Sequence, residues 1–308
     1  MVLPKPGRRE HVVVGNINID ISLKVDRFPR PDENLFASDA WIGPGGAASN
    51  YAIAVARLGH RPRLIARAGD DAYRLGILDY LRLVGVVVDD VVIARGENTG
   101  TVVVIVVPKD STRTMLTVRG ANEGLTGSMV PDRGDLVHFA SVKGVIVEDA
   151  ASVAGSRKAS YDPGGEVYRD PLGVAKAARL VEVLILNELE ASRLSAAIGT
   201  TVSNLSSAIG GRLELVIVKL GKGGAVAYIN GEKLYVKPCR PKRLVDATGA
   251  GDAFDAALNY CLLEGCDLET SLKVASAAGS AKVARRGSSN MPERSEIEEL
   301  YESCYGRG

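Results

Sequence analysis

The feature that most restricts how this chain can fold is an alternation of two hydrophobic periods along most of its length. Short runs rich in β-branched residues, HVVVG (11–15), RLIARAG (63–69), DLVHFA (135–140), KASYD (158–162), EVLILN (182–187) and LELVIVK (213–219), alternate with helical segments. Several of these runs are apolar throughout, as parallel strands covered on both faces are. Between them, Ala48, Ala52, Val55 and Leu58 keep a helical stripe that stops at Gly59. Ile77, Leu78, Leu81 and Val84 keep a second, and Phe254, Ala257, Leu258 and Cys261 a third. The pattern predicts a doubly wound, mostly parallel sheet with helices on both faces, a Rossmann-like α/β/α fold.

Two regions break this rhythm. NTGTVVVIVVPKDSTRTMLTV (98–118) reads as two strands joined by a polar turn, and IDISLKVDRF (19–28) and NLFASDAWI (34–42) read as further extended pieces. They predict a small separate β-sheet, built from about residues 17–42 and 97–119, on a single domain covering 1–308. Strands without helical cover must bury one face on something else, so this sheet is expected to be a lid over a ligand, a dimer surface, or both. AVAYINGEKLYV (225–236) adds a hairpin turning at Asn230–Gly231.

Composition excludes several classes of function. Lys plus Arg number 38 and Asp plus Glu 37, with no long run of like charge, so neither nucleic acid nor a membrane surface is an expected partner. The N-terminus has no apolar signal-peptide core, and the strongest apolar run, Val102 to Val107, is far too short to span a bilayer, so a cytoplasmic protein is expected. The four cysteines, Cys239, Cys261, Cys266 and Cys304, show no metal-site spacing and read as reduced packing residues. His11, His60 and His138 are scattered and read as buried or surface filler.

The most informative stretch is LVDATGAGDAFDAAL (244–258), which crowds glycine and an acid where a helix begins. Gly249 and Gly251 allow a sharp turn that leaves backbone N–H groups uncovered, a geometry that holds anions. Asp252 follows in the first turn. The combination suits a carboxylate that takes a proton from a hydroxyl while the amides of Gly249, Ala250 and Gly251 receive charge on a transferred phosphoryl group; a plain helix cap is the alternative. A buried strand ends at Leu186, and Asn187 and Glu190 follow on one face of a starting helix, an arrangement that orders waters around Mg²⁺ or simply forms a capping box. Lys219, Gly221 and Gly224 follow another strand and suit a nucleotide or a glycine-rich turn. Asn16, Asn18 and Asp20 alternate on one strand face and suit a polyhydroxylated ligand. Gly45 and Gly46 lie at a helix N-terminus with Asn50 in its first turn.

Taken in order, GNINID, GPGGAASN, RGANEGLT, NELE, KLGKGG, DATGAGDAF and ARRGSSNMP resemble the ribokinase, or PfkB, family of sugar and nucleoside kinases over nearly the whole chain. The resemblance implies a ribokinase-like fold with a β lid and an enzyme using ATP, Mg²⁺ and, in many relatives, K⁺. It implies that Asp252 is the base, that Asn18, Asp20, Gly45, Gly46 and Asn50 hold the acceptor, and that Asn187, Lys219, Gly221, Gly224 and Ser276 line the ATP site. Asn187 and Glu190 would organise Mg²⁺ through water, and Asp246, Thr248, Gly287 and Ser289 would hold the monovalent cation.

Departures bear on the acceptor. Ala47 stands where ribokinases proper carry a sugar-contacting lysine, and SYDPGGE (160–166) lacks the Asn and Arg that follow the corresponding Asp in ketodeoxygluconate and fructose-type kinases. These segments look most like archaeal nucleoside kinases. The implied activity is phosphorylation of a primary hydroxyl on a sugar or nucleoside, with a nucleoside preferred; alternatives are a sugar-phosphate kinase such as a 6-phosphofructokinase and a non-catalytic sugar- or nucleotide-binding regulator. A nicotinamide dehydrogenase is a further reading, from the spacing of Gly43, Gly45 and Ala48. Asp255 and Ala256 stand where relatives have small residues and glycine, without an explanation in the sequence.

Overall fold

The computed structural model describes residues 3–107, 109, 112–151, 158–229 and 231–306. The predicted apolar runs all become strands. In chain order the strands are β1 (Glu10–Gly15), β2 (Asn18–Lys24), β3 (Asp39–Gly45), β4 (Arg61–Gly69), β5 (Val91–Ala94), β6 (Gly100–Val107), β7 (Thr112–Val118), β8 (Leu136–Ala140), β9 (Lys158–Asp162), β10 (Val183–Asn187), β11 (Leu215–Lys219), β12 (Ala225–Ile229) and β13 (Glu232–Val236). The helices are α1 (Ala47–Leu58), α2 (Asp71–Arg74), α3 (Ile77–Leu83), α4 (Gly144–Ala151), α5 (Glu166–Arg169), α6 (Pro171–Ala178), α7 (Glu188–Ala197), α8 (Leu205–Ile209), α9 (Ala250–Leu263), α10 (Leu268–Val283) and α11 (Arg294–Tyr305).

Nine strands form the large sheet in the order β13-β12-β11-β10-β9-β8-β1-β4-β5. From β5 across to β11 every pairing is parallel, and β12 and β13 close the edge antiparallel. Both faces are covered, which is why the strands are apolar throughout. Val12, Val14, Val137, Phe139, Leu184 and Leu186 pack with Ile146 and Val147 of α4, Val174 and Ala177 of α6 and Leu194 of α7. On the opposite face Val13, Leu64 and Ala66 meet Ala48, Ala52 and Val55 of α1, while Ile185 and Ile217 meet Phe254 and Leu258 of α9 and Val274 of α10. Each fully buried branched side chain contributes about 1.5–3 kcal/mol.

The chain runs from β1 outward through β4 and β5, then returns and continues through β8 to β11 on the other side. The order therefore reverses between β1 and β8, and the crevice beyond the strand ends at such a point is where ligands bind in open parallel sheets. A separate four-stranded sheet, β3-β2-β6-β7, is formed by the segments outside the α/β rhythm. It is mixed: β2 is parallel to β6, and the other two pairings are antiparallel. The predicted hairpin joins β12 and β13; Asn230 lies outside the described residues.

One expectation is corrected. Cys239 and Cys304 are joined in a disulfide, with only Cys261 and Cys266 free. The partners are 65 residues apart and meet because α11 folds back on the segment after β13, so no local spacing announces the pair. The three histidines are buried, within the expected reading, and belong to one hydrogen-bonded chain. His11 lies 3.0 Å from Tyr51 Oη and 2.9 Å from His60, whose Nε2 lies 3.1 Å from Glu264, while Asn259 donates to Tyr51 and to Ser160, the partner of His138. This polar chain crosses the core between α1, α9 and the sheet.

Candidate active site

Three side chains leave the last positions of neighbouring parallel strands: Asp162 on β9, Asn187 on β10 and Lys219 on β11, with Asn187 and Lys219 in direct register. This end of the sheet is where the chain turns into helices. At β10 the turn is made by the capping box: Asn187 Oδ1 accepts from Glu190 N–H at 2.9 Å, and Glu190 Oε2 accepts from Asn187 N–H at 2.8 Å. Burial, with Asp162 nearby, pushes the Glu190 carboxyl up to about 7. The local alternative weighed for NELE is thus realised, and it leaves Asn187 Nδ2 available to a ligand.

The start of α9 lies beside them. Gly249, at φ 81°, occupies the helix N-cap in the left-handed region, and a Cβ there would lie 2.2 Å from the Ser288 carbonyl, so no other residue fits without moving the loop. The first helical amides then point outward along the axis. Of the three amides proposed to meet an anion, that of Ala250 also donates to Ala247 O at 3.3 Å. Asp252 accepts from Asn50 Nδ2 at 2.8 Å. Desolvation raises its carboxyl to about 6, opposed by the Asn50 hydrogen bond and by Lys219.

Across from α9, the face predicted for a polyol is assembled from three segments. Asp20 is buried; its Oδ2 accepts from Ser288 Oγ at 2.6 Å, and desolvation raises its carboxyl to about 6. Gly45, paired to Asn18 across β2 and β3, is pressed on Asp20, for a Cβ would sit 2.0 Å from that carboxyl carbon. Gly46 caps α1, which presents Asn50 from its first turn. Asn122 of RGANEGLT holds the base of this face, donating to Asn18 Oδ1 at 2.9 Å and to Ile17 O at 3.0 Å. Asp20 Oδ1 and Asn50 Oδ1 are buried acceptors without a protein partner. Asn122 and Ser288 lie within the RGANEGLT and ARRGSSNMP motifs, but their roles here carry no local signal, because their partners lie roughly 100 and 270 positions away.

Lys219 does not stand open in the site. Its Nζ donates to Asp162 Oδ2 at 2.7 Å and to both Asp255 oxygens at 3.0 and 3.1 Å, and these carboxylates hold its pKa above the ordinary lysine value. Asp255, unexplained in the sequence, is the buried partner of that lysine. Gly221 and Gly224 bound the turn between β11 and β12. Ser276, in mid-α10, accepts from Cys239 N–H at 3.2 Å, beside the disulfide. The four residues considered for a monovalent cation come from two loops held together by Asp246, whose oxygens accept from Thr248 N–H at 2.9 Å and Gly287 N–H at 3.0 Å; Ser289 is buried next to them. Gly43 and Gly45 lie in β3 of the small sheet, not at the end of a large-sheet strand, which removes the dinucleotide reading.

A ribokinase-like fold with a carboxylate in the first turn behind a glycine-capped helix, facing a polar pocket across the switch point, is the architecture of an ATP-dependent phosphotransferase. Residues 8–294 match the model of the pfkB family of carbohydrate kinases, and the chain belongs to that family. It is 30% identical over 298 residues to a ribokinase of Bacillus subtilis, covering 95% of this chain and 99% of that one. It superposes on the crystal structure of a nucleoside kinase from Methanocaldococcus jannaschii with a TM-score of 0.86 at 23% identity, covering 97% and 100% of the two chains. A ribokinase of Arabidopsis thaliana solved with ribose and ATP gives a TM-score of 0.79 at 27% identity, covering 96% and 99%.

Proposed function

We propose that the protein transfers the γ-phosphoryl group of ATP to a primary hydroxyl of a nucleoside or pentose, with a nucleoside as the preferred acceptor. The observation that carries this reading is the pair of unpartnered buried acceptors, Asp20 Oδ1 and Asn50 Oδ1, on the face opposite the α9 turn. Buried acceptors of this kind call for hydroxyl donors, as a ribose ring supplies. Ala47 in place of the sugar-contacting lysine favours the nucleoside over free ribose.

In this reading Asp20, Asn18 and Asn50 orient the acceptor so that its hydroxyl meets Asp252. Asp252 takes the hydroxyl proton as the oxygen attacks the γ-phosphorus, and the first-turn amides around Gly249 and Gly251 receive the charge spread over the transferred group. A carboxyl held at about 6 is ionised at neutral pH yet close enough to accept the proton. Gly221 and Gly224 line the nucleotide, with Ser276 at its far end.

No group of three or more metal-ligating side chains occurs among the described residues. Asn187, whose Nδ2 faces away from the capping box, and Glu190 would hold Mg²⁺ through water together with the nucleotide phosphates, an arrangement this ion favours. When bound, it neutralises phosphate charge. The Asp246–Thr248–Gly287 junction with Ser289 suits K⁺.

The small sheet acts as the lid. Its Trp41 packs on Gly287, where a Cβ would lie 2.6 Å from the indole, and its Asp20 is tied to Ser288. Ile42, Leu116 and Val118 leave apolar side chains exposed on one face of it, the surface through which a homodimer forms. Light scattering showing a monomer at all working concentrations would reject the dimer. The function is tested by following ADP release with Mg²⁺ against nucleosides, ribose, ribose 1-phosphate and fructose 6-phosphate. Turnover highest on nucleosides supports the assignment, exclusive turnover on a sugar phosphate replaces it, and full activity in Asp252→Asn removes the base.

A further inference from the structure

The buried ion cluster behind α9 extends the proposed function, on which its catalytic consequence rests. Lys219 closes β11 and Asp255 lies in the second turn of α9, so their ion pair at 3.0 Å ties the sheet to the helix. Asp162, at the end of β9, completes the group at 2.7 Å. The ammonium lies 3.3 Å from the point a Cβ on Gly251 would occupy, directly against the first turn and next to Asp252. We infer that Lys219, clamped by Asp255 and Asp162, is a positioning residue for phosphoryl transfer: it fixes the first turn of α9 on the sheet and supplies the positive charge that Asp252 faces.

The groups acting on Asp252 come from four other elements: Asn50 on α1, Asp20 on β2, Asp162 on β9 and Lys219 on β11. Lys219 is the one cation of this set, and it opposes the two carboxylates. Glu190 on α7 acts on Lys219 in turn. The ammonium donates to Asp162 and to both oxygens of Asp255, which hold it beneath the turn, so a nucleotide gains its charge through the helix and not through a direct ligand. Asp255 and Lys219 then form a unit: a lysine in this dry position requires a counter-charge, and burial pushes the Asp255 carboxyl up while that lysine pulls it back down.

The test uses Lys219→Met and the double variant Lys219→Met/Asp255→Leu. The single change strands Asp162 and Asp255, and the double change replaces the pair by packed apolar groups, so the double variant should keep a higher melting temperature than the single. In both, the acid limb of kcat/KM should move up by about one pH unit, the shift expected on losing a nearby opposite charge, with KM for ATP changed less than about threefold. An acid limb that coincides with wild type in the double variant, or a rise in KM for ATP of about tenfold or more with kcat unchanged, overturns the positioning role. Should the wild type turn over no acceptor, the reading of function fails separately, and unfolding still decides the clamp: equal melting temperatures for single and double variants overturn it.

Discussion

The titration of Asp252 is the most exacting consequence of this geometry. In the free enzyme kcat/KM reports groups that must be ionised before substrate binds. With a pKa of about 6 for Asp252, the ionised fraction falls from about nine-tenths at pH 7 to about one-tenth at pH 5, so kcat/KM should drop roughly tenfold between them. Asp20, also at about 6, steepens the fall as its protonation weakens acceptor binding. The Asn50 amide separates the two. It donates to Asp252 at 2.8 Å and leaves Asp20 untouched. A hydrogen bond to a charged group is worth about 1.5–3 kcal/mol, equivalent to about one to two pKa units. In Asn50→Leu the Asp252 limb should therefore move up by at least about one unit, whatever loss the variant shows at its plateau. The assay is initial-rate ADP release at subsaturating acceptor from pH 4.5 to 8.5. An Asn50→Leu limb superimposable on wild type would refute the assignment of Asp252 as the base, and a wild-type plateau extending below pH 5 would refute the raised carboxyl.

Gly249→Ala places a Cβ 2.2 Å from the Ser288 carbonyl at a φ of 81°; displacing the anion-binding turn should lower kcat at least roughly tenfold with a smaller change in acceptor KM. Acid should destabilise the fold through the buried histidines. His138 is held down to about 3 by burial, so the unfolded chain binds the extra proton below its pKa of about 6.5 and stability falls as pH drops through the window from there to about 3. This term amounts to about 2 kcal/mol lost by pH 5, and chemical denaturation of wild type and His138→Gln at pH 7.5 and 5 measures it; an equal pH dependence in both dismisses it. Reducing the Cys239–Cys304 disulfide, which closes a loop of 65 residues, should cost about 2–4 kcal/mol of stability, with a corresponding loss in the Cys304→Ser variant.

Much of the fold is local information. The strands of the large sheet are apolar on both faces because helices cover both, and the helices show a 3.6-residue stripe because one face of each is buried; both periods are properties of short segments. For the same reason the Asn187–Glu190 capping box, the Gly249 turn and the departure of residues 98–118 from the α/β alternation were legible. What the tertiary structure alone decided is which distant segments meet. β11 places Lys219 beneath Asp255, an acid that no local pattern explains, and two carboxylates hold that lysine. Ser288 reaches Asp20 across 268 positions, Cys239 finds Cys304, and three histidines that look scattered in the sequence share one buried chain. Periodicity records how each segment faces the core and carries no record of its partner there; partners are set by the crossover order of the strands, which brings their carboxyl ends, and the first turn of α9, to a single crevice.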